Sequence, residues 1–538
     1  MSVRPARSTP FTIAALVVPF FCLYAVSLGR APVYLHEAEV LFVLHAHSIA
    51  ETAHDIYGRF LPLYFQMQPI GEDVWFQPAL VYFTALFLMV LPVSEWTARL
   101  PSVVVALADV VLMYFVARRV FKHHRPAILA AVLLALTPAH FIHGRIAMDY
   151  LYPVPFVIGW LLCLVIFLER RAPKILFVAT SLLGLGMYTY IASVVMMPVY
   201  LALTGLALFR TGQSRRAYAI AAAGFAWPLV FLVWLAFHPA ILSQTLGRYH
   251  LEGPVAETTR VIRGLPMPQL LDEVRRSVRF SELTGRISLY WYFFDPAYLF
   301  VTGGYANVVN STRHVGVFLV PLLVFIPVGL VAAARSRTPI ALTVLIGFVS
   351  APLAACLVVP EPYAVDRELV ILPFGVLLAV MGVEAMLASH VPRWRAAAVV
   401  LLAVVPLQFA FFLFDYYGDY RRFSAVWFNG NRRGALEEII ARDARAPAPA
   451  VYLSVARVPY LEAYWRLYVT KHHRTDLLAR TVYFDDASLD VQTVPRGALL
   501  LATRKDAHLT ALVERQQLRK LVDILEPAEP SYFSVLER

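Results

Sequence analysis

Apolar runs of membrane-spanning length, separated by short polar gaps, fill most of the chain up to about residue 414. The first, from Phe11 to about Leu28, follows Arg4 and Arg7 and lacks a small-residue cleavage site. That pattern predicts a retained helix with its N-terminus inside. Further runs lie at 100–117, 126–143, 152–168, 175–190, 192–209, 217–237, 315–333, 338–358, 368–388 and 396–414, for about eleven spans in all. The run Pro78 to Val93 is also apolar, and the sidedness of everything after it depends on whether it crosses.

Basic residues decide that question. If Pro78 to Val93 does not cross, the short loops carrying Arg118, Arg119, Lys122 and Arg125, then Arg170, Arg171 and Lys174, then Arg210, Arg215 and Arg216, then Arg335 and Arg337, then Arg393 and Arg395 all face the cytoplasm. If it crosses, all of them face out. Pro78 to Val93 is therefore expected as a helix in or on the outer leaflet, with the C-terminus outside. Three outer pieces follow: a first loop over 29–99, a long loop over 238–314, and a tail over 415–538 beyond a membrane domain of 1–414.

The first loop contains HEAEVLFVLHAHSIAETAHD, whose rough helical stripe of Val40, Phe42, Val43, Leu44 and Ile49 predicts a helix lying along the membrane surface. The tail changes pattern. Short β-like runs such as AVYLSVA and ALLLATR alternate with helical stretches such as RRGALEEIIARDAR, which predicts an extracytoplasmic α/β domain. The fold class expected is thus an α-helical polytopic membrane protein with a C-terminal α/β domain.

Composition supports this class. The chain of 538 residues is 59% hydrophobic and 15% charged, against about 25% charged in globular chains, and its mean hydropathy is +0.64. A net charge of +11 would suggest nucleic acid in a soluble protein; here the basic residues mark loops, and no nucleic-acid partner is expected. Cys22, Cys163 and Cys356 all lie in apolar stretches, so no disulfide framework is expected in the outer parts.

Several polar residues sit where they are costly unless used. In HFIHGRIAMDYLYP, Arg145 and Asp149 fall one turn apart at the outer boundary, as a local ion pair or part of a site. In VVPEPYAVDRELVILP, Arg367 beside Asp366 is either an interfacial anchor or a phosphate ligand, for which its planar fork of donors is suited. Glu37 and Glu39 are the leading acids for a general base near the membrane surface, with a solvated helix face as the alternative. His47, Glu51 and His54 have helical spacing that could hold a metal, but the polar face of any amphipathic helix yields such trios. Asp109 lies mid-span with no evident partner. No phosphate-cradling glycine loop, hydrolase signature or nucleotide fingerprint is present, which disfavours nucleotide-driven chemistry.

The series AHSIAETAHDIYGRFLPLYF, WFQPALVYFTALFLMVLPVSEWTARLPSVVVALADVVLMYFVARRVF, TPAHFIHGRIAMDYLYPVPFVIGWLLCLVIFLE and LLGLGMYTYIASVVMMPVYL resembles bacterial members of the protein O-mannosyltransferase and lipid A aminoarabinose transferase superfamily, membrane glycosyltransferases of the GT-C fold. The resemblance is specific over about 30–210 and looser to about 415. It implies a polyprenyl-phosphate sugar donor and transfer to an acceptor hydroxyl on a protein, lipid or glycan. It also implies an extracytoplasmic active face on the bacterial cytoplasmic membrane.

By motif, Asp149 matches the family's acid after the third span, Arg145 its neighbouring arginine, and Arg367 the basic residue before a late span. The family's Asp-Glu pair falls on Ala38 and Glu39, so the expected base is Glu39, or Glu37 after a shift. No cofactor is called for; a divalent metal stays open without any residue pattern that demands one. The competing readings are a transporter or flippase for lipid-linked sugars, and a non-catalytic paralogue in which Ala38 marks a lost base.

Overall fold

The computed structural model describes residues 9–68, 74–238, 241, 288–304, 308–358, 361–455, 458–485, 489–503, 506–527 and 532–538. Arg4, Arg7 and most of the long loop expected over 238–314 lie outside the described residues. Two compact units emerge: Met1–Val26, Pro62–Leu80 and Ser102–Leu413 form the first, and Ser27–Leu61, Val81–Pro101 and Phe414–Arg538 form the second.

The first unit is helical. Among the described residues six helices are long and apolar enough to cross a membrane, and six shorter apolar helices accompany them. In chain order the first helices are α1 (Thr9–Ala25), α2 (Glu37–Thr52), α3 (Ala79–Leu88), α4 (Glu95–Phe121), α5 (His124–Ala135), α6 (Pro138–His143), α7 (Pro153–Arg170), α8 (Pro173–Gly186), α9 (Ser193–Arg210) and α10 (Arg215–Ala226). Prolines set several boundaries. The run expected as one span over 126–143 is broken into α5 and α6, because Pro138 has no N–H to continue the ladder and fits only at a helix start. The run over 338–358 breaks likewise into Pro339–Ser350 and Leu353–Leu357, on either side of Pro352. Where helices approach closely, glycine is required. A Cβ on Gly329 would lie 1.8 Å from the Leu378 carbonyl oxygen, and one on Gly382 2.0 Å from that of Phe325, so helices Leu322–Ser336 and Ile371–Leu387 meet backbone to backbone.

α3 has 10 residues, about 15 Å of helix, half the hydrocarbon thickness of about 30 Å. By itself it is shorter than a membrane span. The ends of α4 and α7 lie on one side, because Glu169 binds Arg119 at 2.9 Å and also Lys122.

The second unit is built on a five-stranded sheet of β3 (Val451–Ser454), β4 (Thr481–Phe484), β5 (Leu499–Thr503), β6 (Arg519–Ile524) and β7 (Phe533–Glu537), in the order β4-β3-β5-β7-β6; a separate hairpin, β1 (Phe65–Gln68) and β2 (Val74–Phe76), belongs to the first unit. β3 runs parallel to β4 and β5, and β7 antiparallel to β5 and β6. Every residue of β5 is buried, as expected of a central strand covered on both faces. Alternation splits the core: Val451, Leu453, Leu499 and Leu501 face one layer, while Tyr452, Leu500 and Ala502 face the other with Leu509 and Leu512.

The first layer contains a correction. The apolar stripe of α2, expected against the membrane surface, has Val40, Val43 and Leu44 inside this core, packed with helix Leu461–Lys471. The stripe is amphipathic as expected, but these residues pack on the tail rather than against lipid. Asp443, fully shielded, ties the same unit together through Arg474 and Arg480.

Candidate active site

The expected site residues fall in both units. In the second unit, α2 starts with a capping box: His36 Nδ1 accepts the Ala38 N–H, and Glu39 Oε2 accepts the His36 N–H at 2.9 Å. Glu39 is completely buried. Its two oxygens also receive a bidentate pair from Arg99, Nε to Oε1 at 2.9 Å and Nη2 to Oε2 at 3.0 Å. Arg99 goes on to the carbonyls of Leu28, Pro32 and Tyr34, at 3.1, 2.8 and 2.6 Å. This carboxylate holds the entry of the first loop, and the geometry reverses the expected ranking of the two acids. Glu37, at the first position of α2, is partly exposed, with His36 Nε2 at 3.3 Å and Asn429 Nδ2 donating to it. Since His36 Nδ1 accepts an N–H, the ring proton of the neutral imidazole resides on Nε2, facing Glu37.

Arg145 departs from expectation too. Arg145 and Asp149 do not share a helical turn: α6 ends at His143, the chain turns through Gly144, Met148 is extended, and Asp149 opens a short 3₁₀ turn to Leu151. Gly144 permits this turn because a Cβ there would lie 2.9 Å from both Ala106 and Tyr24. The Arg145 guanidinium donates to the carbonyls of Tyr24 and, at 2.8 Å, Val26, and stacks 5.1 Å from Phe141. Carbonyls at the end of α1 lack intrahelical partners and carry the negative end of the helix dipole, so a buried arginine is well matched to them.

The turns that carry Asp149 and Arg367, separated in sequence, do come together. The turn Asp149–Leu151 packs on the turn Val365–Arg367. Asp366 fixes this junction, accepting from Tyr190 Oη at 3.1 Å and Asn310 Nδ2 at 3.2 Å, while Tyr150 and Tyr190 stack edge to face at 5.4 Å. Arg367 stands 3.3 Å from Glu361 and 3.7 Å from Asp366, longer than the 2.7–2.9 Å of a tight charge-assisted bond. It borders a cavity of ≈ 80 Å³ with Tyr150, Asn310, Glu361 and Tyr363, which has room for a few waters or a small oxyanion.

The remaining candidates separate clearly. Asp109, without a visible partner in the sequence, faces His140 Nε2 at 3.3 Å; His140 Nδ1 meets Tyr24 Oη at 2.7 Å, and that hydroxyl donates to Ala135 O at 2.9 Å. His47 pairs with Glu51 at 3.4 Å, but His54 lies beyond the left-handed cap residue Ala53 and turns to Thr52 O. The trio does not converge, and among the described residues no group of three or more His, Cys, Asp or Glu could hold a metal ion. Sequence reasoning missed Arg99, Tyr190 and Asn310. Arg99 alone left a trace, as a lone cation entering an apolar run.

Residues 77–234 match the family model described as dolichyl-phosphate-mannose-protein mannosyltransferase. No curated protein matches the sequence. Among solved structures, the chain is similar to ArnT from Cupriavidus metallidurans bound to undecaprenyl phosphate, at 15% identity over 99% of this chain and 98% of that one, TM-score 0.57. The apo form of the same protein gives 14% identity, the same coverage, and TM-score 0.56. The apo oligosaccharyltransferase of Archaeoglobus fulgidus gives 13% identity over 92% of this chain and 70% of that one, TM-score 0.51. The chain is a multi-pass membrane protein with the GT-C fold of these proteins, and over residues 77–234 it carries the pattern of the dolichyl-phosphate-mannose-protein mannosyltransferase family.

Proposed function

We propose that the protein is an inverting glycosyltransferase that moves a sugar, in the first instance a hexose, from a polyprenyl phosphate to an acceptor hydroxyl outside the cytoplasm. The observation that carries the proposal is the environment of Arg367: a shielded guanidinium bordering a small polar cavity, on a turn packed against the turn that carries Asp149. A planar fork so placed suits a phosphate that gains charge as its bond to the sugar breaks. ArnT, whose fold this chain shares, binds undecaprenyl phosphate.

In the proposed step the acceptor oxygen attacks the anomeric carbon from the face opposite the phosphate. The bond between that carbon and the phosphate oxygen breaks, and the polyprenyl phosphate leaves with the electron pair. The acceptor's proton passes to a carboxylate. We assign that role to Glu37, because both oxygens of Glu39 are held by Arg99 whereas Glu37 is reachable. Arg367 stabilises the leaving phosphate. Asp149 shapes its turn, and Arg145 secures the end of α1. The site is proposed to face outward from the bacterial cytoplasmic membrane, with the N-terminus inside and residues 415–538 as an outer domain.

The test is to reconstitute the full chain with a radiolabelled polyprenyl-phosphate hexose and mixed acceptors. Loss of label from the lipid, with an anomeric configuration opposite to the donor's in the product, is the expected result. Stable donor in the presence of every acceptor class would favour the non-catalytic reading.

A further inference from the structure

Within the second unit, α2, the segment after α3 and the helix Leu461–Lys471 surround a cavity of ≈ 500 Å³, inside the roughly 300–1,000 Å³ range of small-molecule sites. It shares no residue with the candidate active site. Its walls differ in kind. One is apolar, formed by Leu44, Leu88, Leu91, Val93 and Leu478; the other carries Arg466, Lys471, His473 and His47.

The charges facing the cavity can be assigned one by one. Lys471 is neutralised by Glu95 at 2.9 Å and Glu437 at 2.7 Å, and Glu51, the acid in the lining, stands 3.4 Å from His47. Among the described residues neither the Arg466 nor the His473 side chain has a hydrogen-bond or ion-pair partner, so the Arg466 charge stands without a counter-ion. Beside the apolar wall, Met89 is 58% and Val90 80% exposed, which continues that wall outward as an apolar surface.

We propose that this cavity binds an anionic phospholipid, its phosphate on Arg466 with His473 alongside, and its acyl chain along Leu44, Leu88, Leu91 and Leu478. A free oxyanion would leave the apolar wall unused, and a neutral lipid would leave Arg466 unanswered. The proposal is independent of the transferase reading, since occupancy is read without turnover.

The test uses the full chain in phosphatidylcholine nanodiscs doped with phosphatidylglycerol that carries a photoreactive acyl chain, with labelled peptides mapped by mass spectrometry. Labelling is expected on residues 86–93 and 461–478. Arg466→Glu should lower it by about 10-fold, the loss of one charge-assisted contact, and excess inorganic phosphate should not displace it. Arg466 is exposed, so the variant should unfold at the parent's temperature; Leu478→Asp, also at an exposed position, should reduce labelling from the other wall. If both variants unfold early, the parent decides, because photoreactive phosphatidylcholine must label these peptides far less than phosphatidylglycerol. Equal labelling by the two lipids, labelling unchanged by Arg466→Glu in a stable variant, or complete displacement by phosphate would each overturn the proposal.

Discussion

The first turn of α2, whose Glu39 meets Arg99 of α4, and the turn before helix Ile371–Leu387 each join an acid and an arginine, and they are built to opposite specifications. At the first, Glu39 and Arg99 are wholly buried, aligned in two bonds of 2.9 and 3.0 Å, with further acceptors for Arg99 from three carbonyls. At the second, Arg367 is 3.3 and 3.7 Å from its carboxylates and borders a cavity. A charge pair closed on itself fixes a chain entry; a shielded cation that borders a cavity has space beside it for a ligand. The residue types are the same, and what separates the two is the cavity beside Arg367.

The comparison breaks most visibly at the closed pair. Arg99→Ala leaves a buried carboxylate without its partner and should destabilise the second unit by about 3–5 kcal/mol, read as a large loss of folded protein in thermal unfolding. Retention of the parent's unfolding temperature would show that the pair is dispensable. At the open site the effect should be functional. Arg367→Ala should weaken use of the lipid-phosphate donor by about 10- to 100-fold, the loss of one charge-assisted bond of roughly 1.5–3 kcal/mol, with lysine rescuing only part because it offers no fork. Donor kinetics measured against acceptor kinetics check it.

Arg145→Ala sharpens the contrast. Since Arg145 holds the end of α1, it should lower stability by about 1–2 kcal/mol with donor KM little changed; the reverse outcome would return it to the phosphate. The smallest expected effect is acid lability of the second unit. Burial disfavours the Asp443 charge, but hydrogen bonds from Arg480, the Ala448 N–H and Arg474 outweigh it and hold the carboxyl below the ordinary aspartate range. A depressed folded value stabilises above the unfolded pKa of about 3.9 and is lost as pH falls below it. Asp443→Asn should remove that part of the pH dependence below about pH 4, measured by unfolding at stepped pH.

Much of the fold was legible because apolar period and loop charge are local properties. The apolar helices, the short α3 among them, and the strands of the tail follow from them. What was not legible depends on partners distant in sequence. Nothing around Glu39 announces Arg99, 60 residues on, and nothing in the stripe of α2 tells tail from lipid. Arg145 and Arg367 look alike in sequence, since each stands beside or near an acid after an apolar run. Only the carbonyls of Tyr24 and Val26 distinguish the first. Asp109 likewise seemed solitary because His140 lies on a different helix.

The central claim is that Glu37 is the base and Glu39 is architecture, and the transfer rate of Glu37→Gln tests it most directly. The substitution keeps size and hydrogen bonding at a partly exposed position and removes the proton acceptor. In protein that unfolds at the parent's temperature, transfer from a polyprenyl-phosphate sugar should fall by roughly 10²- to 10⁴-fold with donor binding intact. Full turnover in Glu37→Gln would contradict the assignment.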